Sequence, residues 1–197
     1  MQFKHLVPWL LVIGGILAIA PAFLINYLDQ TPNTVRISDS QTVKIFQSQK
    51  CEVKTIADGD TIACADGTKV RFCGIDSPEL AQPLGQESKQ NLTNLLQGRE
   101  VFISPIKQDR YGRTVAEVFV RITRNEKQAT QQSEEELFAN AEMVRAGMAF
   151  HYAQYSNSCP GKSQIVDAEN QAKAGAIGVW SNPNYQKPWD YRRANRN

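Results

Sequence analysis

The stretch Ala57-Asp58-Gly59-Asp60-Thr61 precedes a short hairpin, and Val70-Arg71-Phe72-Cys73-Gly74-Ile75-Asp76-Ser77-Pro78-Glu79 follows it. Asp-Gly pairs favour tight turns, so Asp58-Gly59 predicts a turn between two strands and Asp66-Gly67 predicts the hairpin turn. The residues around these turns alternate between apolar and polar, as strands with one buried face do. The stretch therefore predicts a small antiparallel β unit with charged side chains at its turns and strand ends.

The composition of the whole chain is that of a globular protein. It has 197 residues, of which 42% are hydrophobic and 21% charged, and its net charge is +2. This length accommodates one ordinary domain with additional segments. A net charge so close to zero gives no argument for a nucleic-acid partner, so any such argument depends on where the charges lie.

The N-terminus departs from this composition. Residues 6–28 carry no charge and are mostly Leu, Ile, Val and Ala, a run long enough to cross a bilayer as a helix. We expect an uncleaved membrane anchor. A signal peptide cleaved near Ala20-Pro21-Ala22 and a buried helix of a soluble core are the alternatives. Lys4 before the run weakly favours a cytoplasmic N-terminus, with the remainder of the chain outside the cytoplasm.

The four cysteines fit an exported domain. Cys51, Cys64, Cys73 and Cys159 permit two disulfides, and four cysteines allow three connectivities. If the first two strands pair around Asp58-Gly59, Cys51 and Cys64 lie roughly opposite each other, which favours the pairs 51–64 and 73–159. A zinc site is the competing interpretation, but the chain has no C-x-x-C motif.

The remaining sequence divides into a linker, a domain and a tail. Residues 29–48 are polar and predict a linker, residues 49–181 a domain, and residues 182–197 an irregular basic tail. Alternation predicts five strands, at 52–56, 61–64, 69–72, 101–105 and 116–122. Three helices are predicted at 86–97, from the capping-box sequence Ser133-Glu134-Glu135-Glu136 to Gly147, and at 163–174. The fold class is α+β: a five-stranded OB-type Greek-key barrel with three helices, preceded by a transmembrane helix.

Charged residues in these turns have the chemistry that phosphodiester hydrolysis requires. Asp60 and Asp76 are hard oxygen ligands, which suit Ca²⁺ better than a soft or tetrahedral metal. Arg71 and the turn Asp109-Arg110-Tyr111-Gly112-Arg113 supply guanidinium groups that can bind phosphate. Taken singly, each carboxylate could serve only a turn, and Arg71 could be a charge on a sheet face.

The joint pattern resembles the thermonuclease family, the staphylococcal-nuclease-like domains, over about residues 50–181. The motifs that carry it are Asp58-Gly59-Asp60-Thr61, then Arg71 to Glu79, then Asp109 to Arg113. Sequences at 140–147 and 168–181 resemble later helices of that family. Three spaced motifs in the same order are much more specific than any one of them.

The resemblance implies a role for each matching residue. Asp60, Asp76 and the backbone carbonyl of Ser77 would bind Ca²⁺, and Glu79 would orient or deprotonate the attacking water. Arg71 and Arg113 would bind the phosphate and stabilise the transition state. Nucleic-acid contacts would come from Arg110, Tyr111 and Tyr155, with Tyr152 as an alternative to Tyr155. The loop 80–85 carries no lysine, unlike the lysine-rich loop of the best-known member, which leaves substrate contacts there open.

Three functions remain in view. The first is a monomeric, extracytoplasmic, Ca²⁺-dependent nuclease that cuts DNA and RNA and leaves 3′-phosphate and 5′-hydroxyl ends. The second is a non-catalytic nucleic-acid-binding domain of the same fold. The third is a membrane-tethered scaffold for protein partners. The complete set Asp60, Arg71, Asp76, Glu79 and Arg113 favours the first, because the other two functions give no reason for it.

Overall fold

The computed structural model describes residues 48–123 and 134–196. Its strands are β1 Gln49–Cys51, β2 Val53–Ile56, β3 Thr61–Cys64, β4 Lys69–Phe72, β5 Ile75–Asp76, β6 Glu100–Gln108, β7 Thr114–Thr123, β8 Glu134–Phe138 and β9 Phe150–His151. Its α-helices are α1 Gly85–Leu96, α2 Ala139–Arg145, α3 Lys162–Ala174 and α4 Pro188–Ala194. Two short 3₁₀ turns, Ala153–Tyr155 and Gly178–Trp180, connect helices and strands in the second half.

The main sheet is a single curled layer. Its strand order is β1-β6-β7-β4-β3-β2, with β8 paired to the end of β7, and β5 pairs separately with β9. The terminal strands of this order, β1 and β2, are separated along the chain by Glu52 alone. Both edges of the sheet must therefore approach each other, which curls it into the partly closed barrel of an OB-like α+β fold.

The core lies between the concave face of the sheet and the helices. Alternate residues of the central strands, Val70, Phe72, Val118 and Val120 among them, are fully buried. Buried Asn140 on α2 fixes this helix to the sheet. Its Oδ1 accepts a hydrogen bond from the Val118 amide at 2.9 Å, and its Nδ2 donates to the carbonyl of Cys73 at 2.9 Å. Both polar ends of the side chain are thus satisfied in the core.

Two of the three predicted helices are confirmed with shifted ends. The helix predicted at 86–97 is α1, and the helix predicted at 163–174 is α3, which ends before Gly175. Gly147 follows α2 with φ +65°, a conformation that glycine adopts without strain.

The helix predicted from the Ser133-Glu134-Glu135-Glu136 capping box is wrong in its first turn. Residues 134–138 form β8, and α2 begins only at Ala139. The reason is tertiary pairing: β8 is antiparallel to β7, and the rings of Phe138 and Phe119 stack with centroids 5.2 Å apart. Pairing with an existing strand overrides a local helix signal. Over residues 48–123 and 134–196 the five predicted strands likewise become nine, because short strands such as β5 and β9 have too few residues to show a period.

The C-terminal tail is not irregular, contrary to the prediction for residues 182–197. Helix α4 begins with Pro188 at its first position, where the missing amide hydrogen costs nothing, and carries Arg192 and Arg193 in its last turn. Trp189 holds it against the domain by stacking face to face on Tyr152, with ring centroids 4.9 Å apart.

Both predicted disulfides are present, Cys51–Cys64 and Cys73–Cys159. The first joins β1 to β3 across the closing edge of the sheet. The second joins the residue after β4 to the loop before α3. The competing zinc interpretation is therefore not supported, since all four thiols are used.

The predicted membrane anchor at residues 6–28 lies outside the described residues, as does most of the linker at 29–48. Among the residues that are described, no helix is long and apolar enough to cross a bilayer.

We expect the two disulfides to contribute unequally to stability. They close loops of 13 and 86 residues, and the loop-entropy model assigns them about 3 and about 4.5 kcal/mol. Urea unfolding of the oxidised full-length protein should therefore show that the Cys73→Ser/Cys159→Ser variant loses more free energy of unfolding than the Cys51→Ser/Cys64→Ser variant. Equal losses, or the reverse order, would contradict this assignment.

Candidate active site

Consecutive strands bring three predicted site residues together. Asp60 comes directly before β3, Arg71 lies in β4 opposite Thr61, and Asp76 ends β5. Gly74, with φ +74°, turns the chain between β4 and β5. A Cβ at Gly74 would lie 3.0 Å from Ile165 and 3.1 Å from Cys159. The turn that directs Asp76 back toward Arg71 therefore has little room for a side chain at position 74.

Arg71 bridges the two buried aspartates. Its Nη1 lies 3.0 Å from Asp60 Oδ1, and its Nη2 lies 2.7 Å from Asp76 Oδ1. The exposed fractions of these side chains are 14% for Arg71, 5% for Asp60 and 1% for Asp76. Such a buried group of charges is stable only when each charge has a partner, which Arg71 supplies to both carboxylates.

Ser77 orients the Asp60 carboxylate. The Ser77 backbone N–H and its hydroxyl both donate to Asp60 Oδ2, at 2.7 and 2.9 Å. The Thr61 hydroxyl donates to Oδ1 at 3.0 Å. The resemblance assigned the Ser77 carbonyl to a metal, and the structure adds this second contact through the amide and hydroxyl.

Arg192 on α4 also belongs to the cluster, although no sequence motif pointed to it. Its Nη1 donates to Asp76 Oδ1 at 3.1 Å and to Glu79 Oε1 at 2.7 Å, while Nη2 donates to Asp76 Oδ2 at 2.7 Å. Glu79 thereby joins Asp76 through a shared guanidinium. The backbone amide of Glu79 donates to Gln82 Oε1 at 2.9 Å, which fixes the start of the following loop.

Burial shifts the pKa of two carboxyl groups of the site, those of Asp58 and Asp76. Desolvation and the neighbouring charge of Asp60 raise the pKa of Asp58 to about 7. Burial also raises the pKa of Asp76, although hydrogen bonds from Arg192 and the charge of Arg71 act in the opposite direction. Burial tends to lower the pKa of Arg192, but its hydrogen bonds to Asp76 and Glu79 prevail and raise it. The three carboxylates Asp60, Asp76 and Glu79 thus carry more negative charge than Arg71 and Arg192 neutralise.

This surplus of oxygen ligands and negative charge fits a divalent cation such as Ca²⁺ in its chemistry. The geometry is less complete: within the described residues, no group of three or more His, Cys, Asp or Glu is arranged to hold a metal. Both Asp60 oxygens already have two polar neighbours, whereas Asp76 Oδ2 has one. Binding a cation would therefore require hydroxyl or guanidinium groups to turn away from Asp60.

The second arginine motif lies on the turn between β6 and β7. Arg113 Nε contacts Asp109 Oδ2 at 2.7 Å, and the Arg110 and Arg113 guanidinium groups lie 4.9 and 5.5 Å from the centroid of the Tyr111 ring. Arg113 directly precedes β7, and in the parallel β4–β7 ladder Arg71 pairs with Val115, two residues further along the chain. No ion pair within the described residues joins it to the carboxylate cluster.

Tyr155 takes part in an aromatic row beside the cluster. Its ring packs edge-on against Tyr152 at 4.7 Å, and Tyr152 stacks on Trp189. Tyr155 is 54% exposed, and Tyr111 on the turn between β6 and β7 is 68% exposed. Both predicted nucleotide contacts are therefore accessible.

Two clefts differ in what lines them. A cleft of about 970 Å³ lies between β1, β2 and the end of α1, and none of the predicted site residues lines it. A second, of about 520 Å³, is lined by Asp58, Glu79, Leu80 and Ala81 on one side. Residues of α4 and the chain just after it line the other side. We place the candidate site at the smaller cleft, because Glu79 and Arg192 of the charged cluster line it together with Asp58.

Comparison with known proteins identifies a nuclease family and relatives that are named as nucleases. The family model of staphylococcal nuclease homologues matches residues 69–182. A micrococcal nuclease of Shigella flexneri is 38% identical over 151 residues, covering 74% of this chain and 82% of that protein. An uncharacterized endonuclease of Haemophilus influenzae is 35% identical over 151 residues, covering 75% of each chain.

A probable staphylococcal-like nuclease of Oryza sativa subsp. japonica is 32% identical over 129 residues, or 66% of this chain. The match spans only 34% of that plant protein. The family model includes Arg71, Asp76, Glu79 and Arg113 but ends before α4.

The raised pKa of Asp58 gives a pH-dependent prediction. A carboxyl with a higher pKa in the folded state holds its proton more tightly there, so its ionisation between about pH 4 and 7 destabilises the fold. Asp58→Asn removes this ionisation and its destabilising effect. It keeps the side-chain oxygen that accepts a hydrogen bond from the Asp60 backbone N–H. In chelator, the free energy of unfolding of the variant should rise relative to that of the wild type by on the order of 3 kcal/mol as the pH increases to about 8.

Urea unfolding across this pH range checks the expectation. The control is Asp66→Asn, because Asp66 is exposed and a hydrogen bond from the Thr68 amide lowers its pKa. Asp66 is ionised in both states above about pH 5, so its variant should keep a constant offset from the wild type there. If the free energy of unfolding of Asp58→Asn also differs from that of the wild type by a constant amount across this pH range, the raised pKa of Asp58 is contradicted.

Proposed function

This chain belongs to the family of staphylococcal nuclease homologues, and we propose that it hydrolyses phosphodiester bonds of DNA and RNA with the help of Ca²⁺. The protein is a nuclease: the family model and relatives named as nucleases support this directly. The observation that carries the finer proposal is the cluster of Asp60, Asp76 and Glu79 around Arg71 and Arg192. Buried carboxylates beside guanidinium groups are the pairing that this reaction uses.

Asp60, Asp76 and the Ser77 carbonyl would hold Ca²⁺, which when bound neutralises phosphate charge and makes a nearby water more acidic. Glu79 is the accessible carboxylate of the cluster, with 35% of its side chain exposed, and it accepts the proton of the attacking water. Its loop is held in place by the hydrogen bond to Gln82.

Arg71 and Arg113 bind the phosphate oxygens. Their planar guanidinium groups can each donate two parallel hydrogen bonds as charge grows on phosphorus. The water oxygen forms a bond to phosphorus in line with the departing 5′ oxygen. The bond from phosphorus to that oxygen breaks, and the oxygen takes up a proton. The products end in a 3′-phosphate and a 5′-hydroxyl.

We further propose that the protein works outside the cytoplasm, held to the membrane by residues 6–28 or released if that segment is cleaved. The uncharged length of this segment and the two disulfides support the location, because disulfides persist in oxidising compartments.

Removal of the cation or of the Glu79 charge should abolish most activity. We expect chelator to stop degradation of denatured DNA, and Glu79→Gln to lower kcat by about 10²–10⁴-fold, because the amide cannot accept a proton. Exposed Glu52→Gln is the matched control and should cut at the wild-type rate. Full activity in chelator would contradict the metal dependence, and full activity of Glu79→Gln would contradict its role. Binding without cleavage by the wild type would favour a non-catalytic domain.

Substitution of Arg71 or Arg113 by lysine tests the phosphate contacts. A point charge cannot reproduce the two parallel hydrogen bonds of a guanidinium, so each variant should lose about 10²–10³-fold in kcat/KM, or about 3–4 kcal/mol. Steady-state cleavage of a single-stranded oligonucleotide measures the loss, and the melting temperature shows whether the fold survives. Exposed Arg99→Lys is the control. Unchanged rates would mean that these arginines do not touch the reacting phosphate.

A further inference from the structure

We propose that α4 forms the second wall of the substrate cleft and that Arg192 binds a substrate phosphate, as an addition to the two arginines of the family motifs. The proposal rests on the proposed function, since it concerns the same cleft. Residues 183–196 lie beyond the segment that the family model matches, and no family motif points to Arg192.

The position of α4 is fixed by contacts to the elements that carry the site. Trp189 stacks on Tyr152 with an interplanar angle of 3° and packs edge-on against Phe150 at 5.8 Å. Phe150 lies in β9, which pairs with β5 through Asp76. The helix is thus docked on the strand that supports the catalytic carboxylates.

The segment before α4 is fixed to the loop that follows Glu79. Gln82 Nε2 donates to the Gln186 carbonyl at 3.0 Å, and the Tyr185 hydroxyl donates to the Pro83 carbonyl. The same Gln82 accepts the Glu79 amide through its Oε1. One side chain therefore connects the proposed base to the segment that carries Arg192.

The hydrogen bonds of Arg192 leave part of its guanidinium available. Asp76 receives bonds from both terminal nitrogens, and Glu79 receives the second Nη1 hydrogen. A guanidinium has five N–H donors, so these bonds use three. The Nε hydrogen and one Nη2 hydrogen remain, on the edge that can take a phosphate in a bidentate contact. The Tyr152 hydroxyl also lies near the Arg192 guanidinium.

The charges of the cleft wall suit a polyanion. Tyr191, Arg192, Asn195 and Arg196 line the 520 Å³ cleft opposite Glu79. Within the described residues, Arg196 has no ion-pair partner. Arg193, by contrast, is 78% exposed, pairs with Asp190 at 3.2 Å and does not line the cleft. The helix and the chain just after it therefore present Arg192 and Arg196 to the cleft, while Arg193 pairs with Asp190 of the same helix.

The test is the salt dependence of binding. Binding of a fluorescent single-stranded oligonucleotide to the full-length protein is measured by anisotropy in chelator at several salt concentrations. Each phosphate contact contributes about 0.7 to the slope of log Kd against log salt for a single strand. We expect Arg192→Ala to weaken binding about tenfold and to lower the slope by about 0.7. Arg196→Ala should act in the same direction.

Two further variants separate phosphate binding from other effects. Arg193→Ala removes the same charge from the same helix and should stay within about twofold of the wild type, with an unchanged slope. Arg192→Lys should keep most of the slope and lose part of the affinity. If Arg192 only positions Asp76 and Glu79, Arg192→Ala lowers kcat while its binding slope equals that of Arg193→Ala, and the proposal is overturned.

Failure of this proposal and failure of the proposed function give different results. Wild-type cleavage together with equal slopes for Arg192→Ala and Arg193→Ala overturns the role of α4 and leaves the nuclease activity standing. Lack of wild-type cleavage with Ca²⁺ overturns the proposed function, and the slopes still decide whether α4 binds phosphate.

Discussion

The ion pairs of Arg71 are the interaction on which the site depends. Asp60 and Asp76 are buried and close to each other, and their mutual repulsion would drive them apart or protonate them without a cation between them. Arg71 can fill that position because β4 lies inside the sheet, with β3 on one side and β7 on the other. The hydrogen-bonded ladder on both sides of β4 thus fixes the place at which charge is balanced.

Arg192, from a distant part of the chain, supplies a second positive charge to the same cluster. Both Arg71 and Arg192 contact the Asp76 carboxylate, so Asp76 is held by two guanidinium groups. Arg71 lies in a central strand with 14% of its side chain exposed, whereas Arg192 is 40% exposed and lies on a short helix. Whatever binds in the cleft therefore meets one buried cation and one that is more exposed.

Much of this arrangement could be predicted from local sequence. Asp-Gly turns and the alternation around them predicted β3 and β4, and the leucines of α1 and the glycine after α3 marked those helices. The failures share one physical cause, which is long-range contact. The glutamates at 134–136 favour a helix locally, but pairing with β7 decides for a strand.

The local signals of α4 were Pro188 at its start, Asp190 in its first turn and arginines in its last turn. They could have revealed the helix but not its role. The partners of Arg192 are 113 and 116 residues away along the chain, and no spacing rule reaches that far.

The Cys73–Cys159 disulfide connects the site to the chemistry of its surroundings. Cys73 lies between Arg71 and Asp76, so this bond anchors the very turn that brings the two together. A chain in a thiol-reducing compartment lacks that anchor and gains it only where thiols are oxidised. The redox state of the compartment thus governs how firmly the site is held. A hydrolase that attacks nucleic acid would in this way be least well assembled beside the genome of its own cell.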